Sequence, residues 1–342
     1  MIVDLRSDTV TCPTPEMRQI MAEASVGDDV MGEDPSVNRL QQLAAARLGK
    51  EAALFVVSGT MGNLLALLSH ARSGQEVIVD ALSHIFASEL GGAAALGGIQ
   101  LVPVTTERGV LIPSQMLGAL HSPTGANGQT SAAVCVEDTH NRHGGVTWPL
   151  TDLRALWEAA RSRRVAVHID GARLFNAAVA QGIDARDIAG YADTVTFCLS
   201  KGLGAPVGSV LCGPADFIER ARWWRKMLGG GWREAGVLAA AGLFALDANV
   251  NRLADDHANA RRLAEGLARL DGLTVDLSRV ETNIVLFEPD RVSVPDLIAR
   301  LRARNVLASR SGDKRLRFVT HLGVDGAAIA SALAATAEAI HG

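Results

Sequence analysis

Short runs of branched apolar residues recur through the first two thirds of the chain. They alternate with longer segments whose apolar positions fall three and four apart. Runs at residues 52–57, 76–80, 100–104, 132–136 and 165–170, and two more inside 194–211, are strand-length and bounded by turn residues, so they predict buried strands. Between them the helical period predicts helices over 15–24, behind Thr14 with Pro15 in the first turn, and from Ser36 through Val37, Leu40, Leu43 and Ala44. Further helices are expected over 64–70, 114–120, 215–226 and 237–246. Beyond residue 248 the order changes. A helix over 252–270 leads to strands at 273–277, 283–287 and 316–320, with a helix over 294–304 and another over 331–340. That tail reads as a small α+β domain. The expected division is an arm (1–14), a large domain (15–248) and a small C-terminal domain (249–342). The arm is polar and broken by Pro13 and Pro15, which argues against a core strand there.

Composition narrows the class. The chain has 342 residues, 48% hydrophobic and 20% charged, with ample length for a large core. A net charge of −4 argues against nucleic acid as the main partner. No apolar run reaches the roughly 20 residues of a membrane span, and the N-terminus lacks a signal-peptide apolar core. The four cysteines lie far apart without CxxC spacing, as expected of thiols in a cytoplasmic protein.

The candidate chemistry sits where strands end. Lys201 follows one strand among small residues and glycines, Ser200-Lys201-Gly202-Leu203-Gly204. Burial there would disfavour the charged amine and leave it nucleophilic toward a carbonyl carbon. Asp170 ends the strand upstream, and the gap between them is one βαβ crossover of about 30 residues. Both would lie at carboxyl ends of strands, where open α/β sheets bind ligands. A lysine and an aspartate so placed match a pyridoxal phosphate site, the lysine holding the aldehyde as an imine and the aspartate keeping the pyridine nitrogen protonated. The alternative is a buried Asp–Lys ion pair. Ser58-Gly59-Thr60-Met61-Gly62-Asn63 joins a strand to a helix and suits one phosphate at the helix start. His84 follows another strand and could stack on a planar ring. Glu137, His140 and Asn141 follow a further strand, either facing the ligand or supporting it. The 27–35 loop is acidic, either a solvated turn or a contact at a subunit or site edge. The 215–226 helix carries Arg220, Arg222, Arg225 and Lys226. Arg317 interrupts an apolar strand and needs a partner. A substrate carboxylate suits its fork, and a buried Asp or Glu is the alternative.

Together these residues resemble the low-specificity threonine aldolases among fold-type-I pyridoxal phosphate enzymes. The resemblance runs from Asp4-Leu5-Arg6-Ser7-Asp8-Thr9-Val10-Thr11 to Val319-Thr320-His321. It passes through Gly27-Asp28-Asp29-Val30, Ser83-His84-Ile85-Phe86, His168-Ile169-Asp170-Gly171-Ala172-Arg173 and Leu199-Ser200-Lys201-Gly202-Leu203. It implies a large domain with a mainly parallel seven-stranded sheet, a small C-terminal domain, and a homotetramer with active sites shared between subunits. By the same resemblance Lys201 is the imine lysine, Asp170 the pyridine partner and His84 the stacking residue; His84, through a water held near Glu89, is also the first choice of base. Gly59 and Thr60 would hold the phosphate. Arg173, Arg317 and Ser7 would hold the substrate carboxylate, with Arg173 also toward the cofactor. Lys226 and Arg233 would reach the phosphate in a neighbouring subunit. The implied reaction is retro-aldol cleavage of L-threonine or L-allo-threonine to glycine and acetaldehyde. β-Elimination, transamination or ligand binding without turnover are the alternatives. Two positions depart from the family's pattern. Met31 stands where many relatives carry tyrosine, and residues 125–130 lack a second active-site histidine, with His121 too far upstream to replace it. Weak discrimination between threonine and its allo isomer is the expected consequence, with Asn127 and Gln129 nearest the missing ring.

Overall fold

Seven strands form the central sheet of the computed structural model, which describes residues 2–121 and 130–341. After a two-residue strand β1 (Val3–Asp4) come β2 (Ala52–Val56), β3 (Glu76–Asp80), β4 (Gln100–Val104), β5 (Ser131–Glu137), β6 (Ala166–Gly171), β7 (Thr194–Cys198) and β8 (Ser209–Gly213). Across the sheet the order is β2-β8-β7-β6-β5-β3-β4. The β3–β4, β3–β5, β5–β6 and β6–β7 pairs are parallel, and β8 runs antiparallel to both β2 and β7. Central strands are buried along their length because helices cover both faces, which is why they read as continuous apolar runs.

The helix after β2 begins earlier than its apolar run. It spans Gly59–His70, with Ser58 as its cap accepting from the Met61 amide, so the Gly-rich turn is its first turn. Two glycines let it lie on the sheet. A Cβ on Gly59 would come within 2.9 Å of Cys198 Sγ, and one on Gly62 within 2.6 Å of Thr196 Cγ2. Asn63 is thereby pressed beneath the end of β6.

A second sheet holds β9 (Leu273–Thr274), β10 (Ile284–Pro289), β12 (Ser309–Ser311) and β13 (Arg315–Val319), all antiparallel, with β11 (Val306–Leu307) beside it in sequence. The helix Leu253–Leu267 joins the two cores, since Leu253 packs with the large one and Ala260, Leu263 and Leu267 with the small one.

Three local expectations change. The N-terminal arm is not detached from the core: β1 pairs in parallel with β11, and Val3 and Leu5 are buried in the small core on either side of Asp4. Their alternation is a strand signal two residues long, too short to stand out against the prolines. The second helix, Pro35–Leu48, is capped by Asp34 through the Val37 amide, while the Ser36 hydroxyl donates to Ser25 O instead. The acidic loop is not a solvated turn. Asp29 pairs with Arg225 at 2.7 Å, Asp28 with Arg233 at 2.8 Å, and Asp34 also accepts from the Gly27 and Gly236 amides. On the basic helix, Ala215–Met227, Arg225 is paired with Asp29, and Arg220 and Arg222 with Asp216 and Glu219 of the same helix.

Candidate active site

The carboxyl ends of β5, β6 and β7 define a cleft of about 170 Å³ lined by Ser7, Thr9, His84, Glu137, Asn141, Asp170, Arg173, Lys201 and Arg317. Parallel register brings them together. Glu137 lies opposite Asp170, and Asp170 opposite Thr196, one turn before the Lys201 loop. Lys201 stands three residues beyond β7 in a tight turn, where its carbonyl accepts from the Thr11 hydroxyl and the Gly204 amide. It is half-buried rather than sealed in the strand, so the desolvation expected of it is partial. Among the described residues it forms no ion pair, and the Asp–Lys salt-bridge alternative falls with that.

Asp170 is buried at the floor of the cleft. Its Oδ2 accepts from Asn63 Nδ2 at 2.9 Å and its Oδ1 from the Ala172 amide at 3.1 Å. Burial pushes its carboxyl up to about 6, helped by the nearby charges of Glu137 and Glu89 and opposed by His84 and Lys201. A buried carboxylate with neutral hydrogen-bond partners lacks a cation, and a protonated pyridine ring over the cleft would supply one. The amides of Gly59 and Thr60 lie in the first turn of their helix, without an intrahelical acceptor, and so are available to an anion. These residues fit pyridoxal phosphate.

His84 occupies one wall. Its Nδ1 lies 2.8 Å from Glu89 Oε1 and its amide donates to Glu137 Oε2 at 2.6 Å. The hydrogen bond to Glu89 raises its pKa above the ordinary histidine value despite partial burial. Because an ionised Glu89 only accepts, Nδ1 carries the proton, and Nε2 is the ring's basic atom.

The carboxylate grip differs from the expectation at Arg173. Its Nε and Nη2 both donate to Asp8 at 2.7 Å, and the two side chains are almost wholly buried. Arg173 therefore has its countercharge within the chain, and of its five donors two are spent on Asp8, leaving both of Nη1 and one of Nη2. Burial alone would raise the Asp8 carboxyl, but the charge and hydrogen bonds of Arg173 outweigh it and hold it at about 2. Asp8→Asn would strand a buried guanidinium, and a loss of roughly 3–5 kcal/mol of stability is expected. Asp8 has a depressed folded pKa, so its contribution is complete above the unfolded value near ~3.9 and fades as pH falls toward about 2. Acid unfolding curves of both proteins check this: the variant should lose the pH dependence in that window.

Arg317 is the opposite case. Its Nη1 donates to Asn141 Oδ1 at 2.7 Å, Nη2 to Arg6 O at 3.1 Å and Nε to Ser309 Oγ at 3.3 Å. All three partners are neutral. Burial lowers its pKa to about 10, and the charge of Arg173 adds to that. The buried Asp or Glu offered as an alternative partner is absent among the described residues. Ser7 caps the short turn Asp8–Val10 beside it, accepting from the Thr9 amide.

Lys226 and Arg233 do not line the cleft of their own chain. Lys226 borders a separate depression with Asp29, Val30 and Trp223, and Arg233 holds Asp28. His121 is also remote, bonded to Glu76 at the amino end of β3, the opposite edge of the sheet. Asn127 and Gln129 lie outside the described residues.

Asp80, His140 and His143 bring three ligand atoms within 4.8 Å of one another. Asp80 Oδ1 already accepts from the Leu82 amide at 2.8 Å and faces His140 Nε2 at 3.1 Å, and its Oδ2 accepts from Thr106 Oγ1 at 2.6 Å. A metal on His140 Nε2 would leave an Nδ1–H buried with no acceptor, whereas donation to Asp80 leaves only a lone pair there. The donor count favours a hydrogen-bonded prop for the turn that carries Asn141.

Asn63, Glu89 and Asp8 went unassigned or underused in the sequence reading. Asn63 sits in an apolar helix with no local signal, and Asp8 is one acid in a polar arm.

Comparison with known proteins identifies the family. Residues 4–290 match the beta-eliminating lyase family. The low specificity L-threonine aldolase of Escherichia coli K12 is 45% identical over 323 residues, covering 94% of this chain and 95% of that protein. A solved threonine aldolase from Leishmania major superposes with a TM-score of 0.84 at 20% identity, covering 98% of this chain and 99% of the other. A serine palmitoyltransferase from S. paucimobilis with bound PLP superposes at 0.78 and 18% identity, covering 99% and 87%. On 45% identity across nearly its whole length and the family match over residues 4–290, the chain belongs to the low-specificity L-threonine aldolases of the beta-eliminating lyase family.

Proposed function

We propose that the chain cleaves L-threonine and L-allo-threonine between Cα and Cβ, giving glycine and acetaldehyde. The observation that carries this reading is Arg317, a largely buried guanidinium at the cleft with only neutral partners. It is a receptor for the substrate carboxylate, aided by Arg173 Nη1 and Ser7. Gripping the carboxylate would fix the orientation of the bonds at Cα, and orientation selects the bond that breaks. Pyridoxal phosphate, when bound, links the substrate amine and supplies a protonated ring that accepts the electrons released at Cα.

The remaining work belongs to the side chains. Lys201 Nζ would hold the cofactor, and Asp170 would keep its ring nitrogen protonated. His84 Nε2 takes the proton of the β-hydroxyl, with Nδ1–H held by Glu89 so that the lone pair faces the substrate. An acid limb of the kcat profile that survives His84→Asn would remove His84 from this role. Gly59 and Thr60 hold the phosphate from one subunit, and Lys226 and Arg233 reach it from a neighbour in a homotetramer. Exposed apolar side chains around that face, Met31 at 70% and Trp223 at 58%, support burial against another subunit.

The test is a product assay with threonine, allo-threonine and serine as substrates. Glycine and acetaldehyde are expected from threonine and allo-threonine, and glycine and formaldehyde from serine; a keto acid instead would mark β-elimination or transamination. Arg317→Lys keeps the charge and loses the fork, so KM is expected to rise about 10-fold or more with a smaller change in kcat. Normal KM with a much lower Tm would return Arg317 to a purely structural role.

A further inference from the structure

The groups behind Asp170 form a continuous chain whose hydrogen-bond directions can all be assigned. Asn63 Nδ2 lies 2.9 Å from both Asp170 Oδ2 and Glu89 Oε1. Carboxylates accept, so the amide nitrogen must face them and both its protons are used. Asn63 Oδ1 then faces His168 Nε2 at 3.1 Å and can only accept, so His168 carries its proton on Nε2. His168 is fully buried, and burial lowers its pKa to about 3, so it is neutral and its Nδ1 is an acceptor. That atom lies 2.9 Å from Thr194 Oγ1, whose single proton must point to it. Thr194 Oγ1 in turn accepts from His70 Nε2 at 2.8 Å, and the half-buried His70 is also neutral, its pKa lowered to about 4 by desolvation. One amide orientation thus sets every donor from His70 to Asp170.

We propose that Asn63 is a positioning residue for the reaction, oriented by His168 and bridging Asp170 to Glu89 so that the ring-facing carboxylate and the carboxylate of His84 are held as one unit. This rests on the assignment of Asp170 as ring partner and goes beyond it. Glu89 Oε1 accepts from both Asn63 and His84, so the amide joins the group that would hold the ring proton to the base beside it. An amide suits this place because it donates twice and never competes for the protons the carboxylates must share. A flipped amide would set its oxygen against two carboxylates, and the neutral His168 N–H prevents that flip.

The charged groups facing Asp170 are Glu137, Glu89, His84 and Lys201, and any pH profile reads all of them. The first measurement therefore uses the unaltered holoenzyme: ¹⁵N-histidine NMR or neutron diffraction, which reports the tautomers directly. His168 and His70 are both expected as Nε2–H. A His168 protonated on Nδ1 would overturn the proposal. The second uses substitutions. Asn63→Leu is expected to lower kcat roughly 10- to 100-fold, the scale of one hydrogen bond to a charged group, with little change in KM. It should also shift the pH titration of the cofactor absorbance. His168→Gln, which can still donate to Asn63 Oδ1, should stay near wild type in that titration, while His168→Leu should follow Asn63→Leu. Variants that melt earlier but keep the wild-type kcat and titration would make the chain mere packing. The tautomers are read whatever product the enzyme makes, so their failure and failure of the aldolase reading are separate results.

Discussion

Lys201→Ala is expected to lose on the order of 10⁴-fold or more in kcat/KM, the scale of removing a covalent nucleophile. The fold should survive, because the side chain is half-buried in a turn, forms no ion pair among the described residues and leaves no cavity in the apolar core. The turn itself is held by backbone contacts, Thr11 and Gly204 to the Lys201 carbonyl, which alanine keeps. Absorbance of the bound cofactor should change, and borohydride should no longer trap it. Trapping at another lysine would refute the assignment. The same variant tests the shared site. Lys201→Ala subunits mixed with Lys226→Ala subunits should recover part of the activity if Lys226 serves a neighbour's phosphate, since one intact site then forms in each mixed pair. No recovery in verified mixed oligomers would confine the site to a single chain.

Asp170→Asn is expected to lower kcat by about 10²–10³-fold, in the range of losing one preorganised electrostatic contact to developing charge. Affinity for the cofactor should change modestly, since the phosphate and Lys201 contacts remain. A second, independent readout comes from the cofactor-free protein. The folded Asp170 carboxyl titrates at about 6 and the unfolded one near ~3.9, so the folded protein binds this proton more tightly. Rising pH between those values therefore works against the fold, and Tm should fall across that window more in the wild type than in Asp170→Asn. The effect is opposite in sign to that of Asp8 and lies higher in pH, so the two separate in one titration series. An unchanged kcat would return Asp170 to a structural carboxylate.

The differing fates of Arg173 and Arg317 show where reading the chain stopped. Both are arginines at the ends or middles of apolar strands, and both carry the same chemical expectation. One is satisfied by Asp8, 165 positions away in sequence, and the other meets only an amide, a hydroxyl and a carbonyl. Arg225 repeats the lesson, since on the sequence it belongs to a basic stripe and in the fold it is buried against Asp29. Partner identity for a buried charge depends on which distant segment closes over it, and no local pattern encodes that.

What the sequence determined by itself was the sheet and the residues at its carboxyl ends. Short branched-apolar runs are legible because burial on both faces demands them, and the Asp170-to-Lys201 spacing follows from the length of one crossover. Motif order then carried the family, the cofactor and the class of reaction. Tertiary structure alone decided which arginine has its countercharge within the chain, that the N-terminal arm enters the small core, and that Asn63 links Asp170 to Glu89. Each of these is a contact between segments far apart in the chain. Such a contact is specified by the closure of the whole fold, whereas a strand or a helix start is specified by its neighbours.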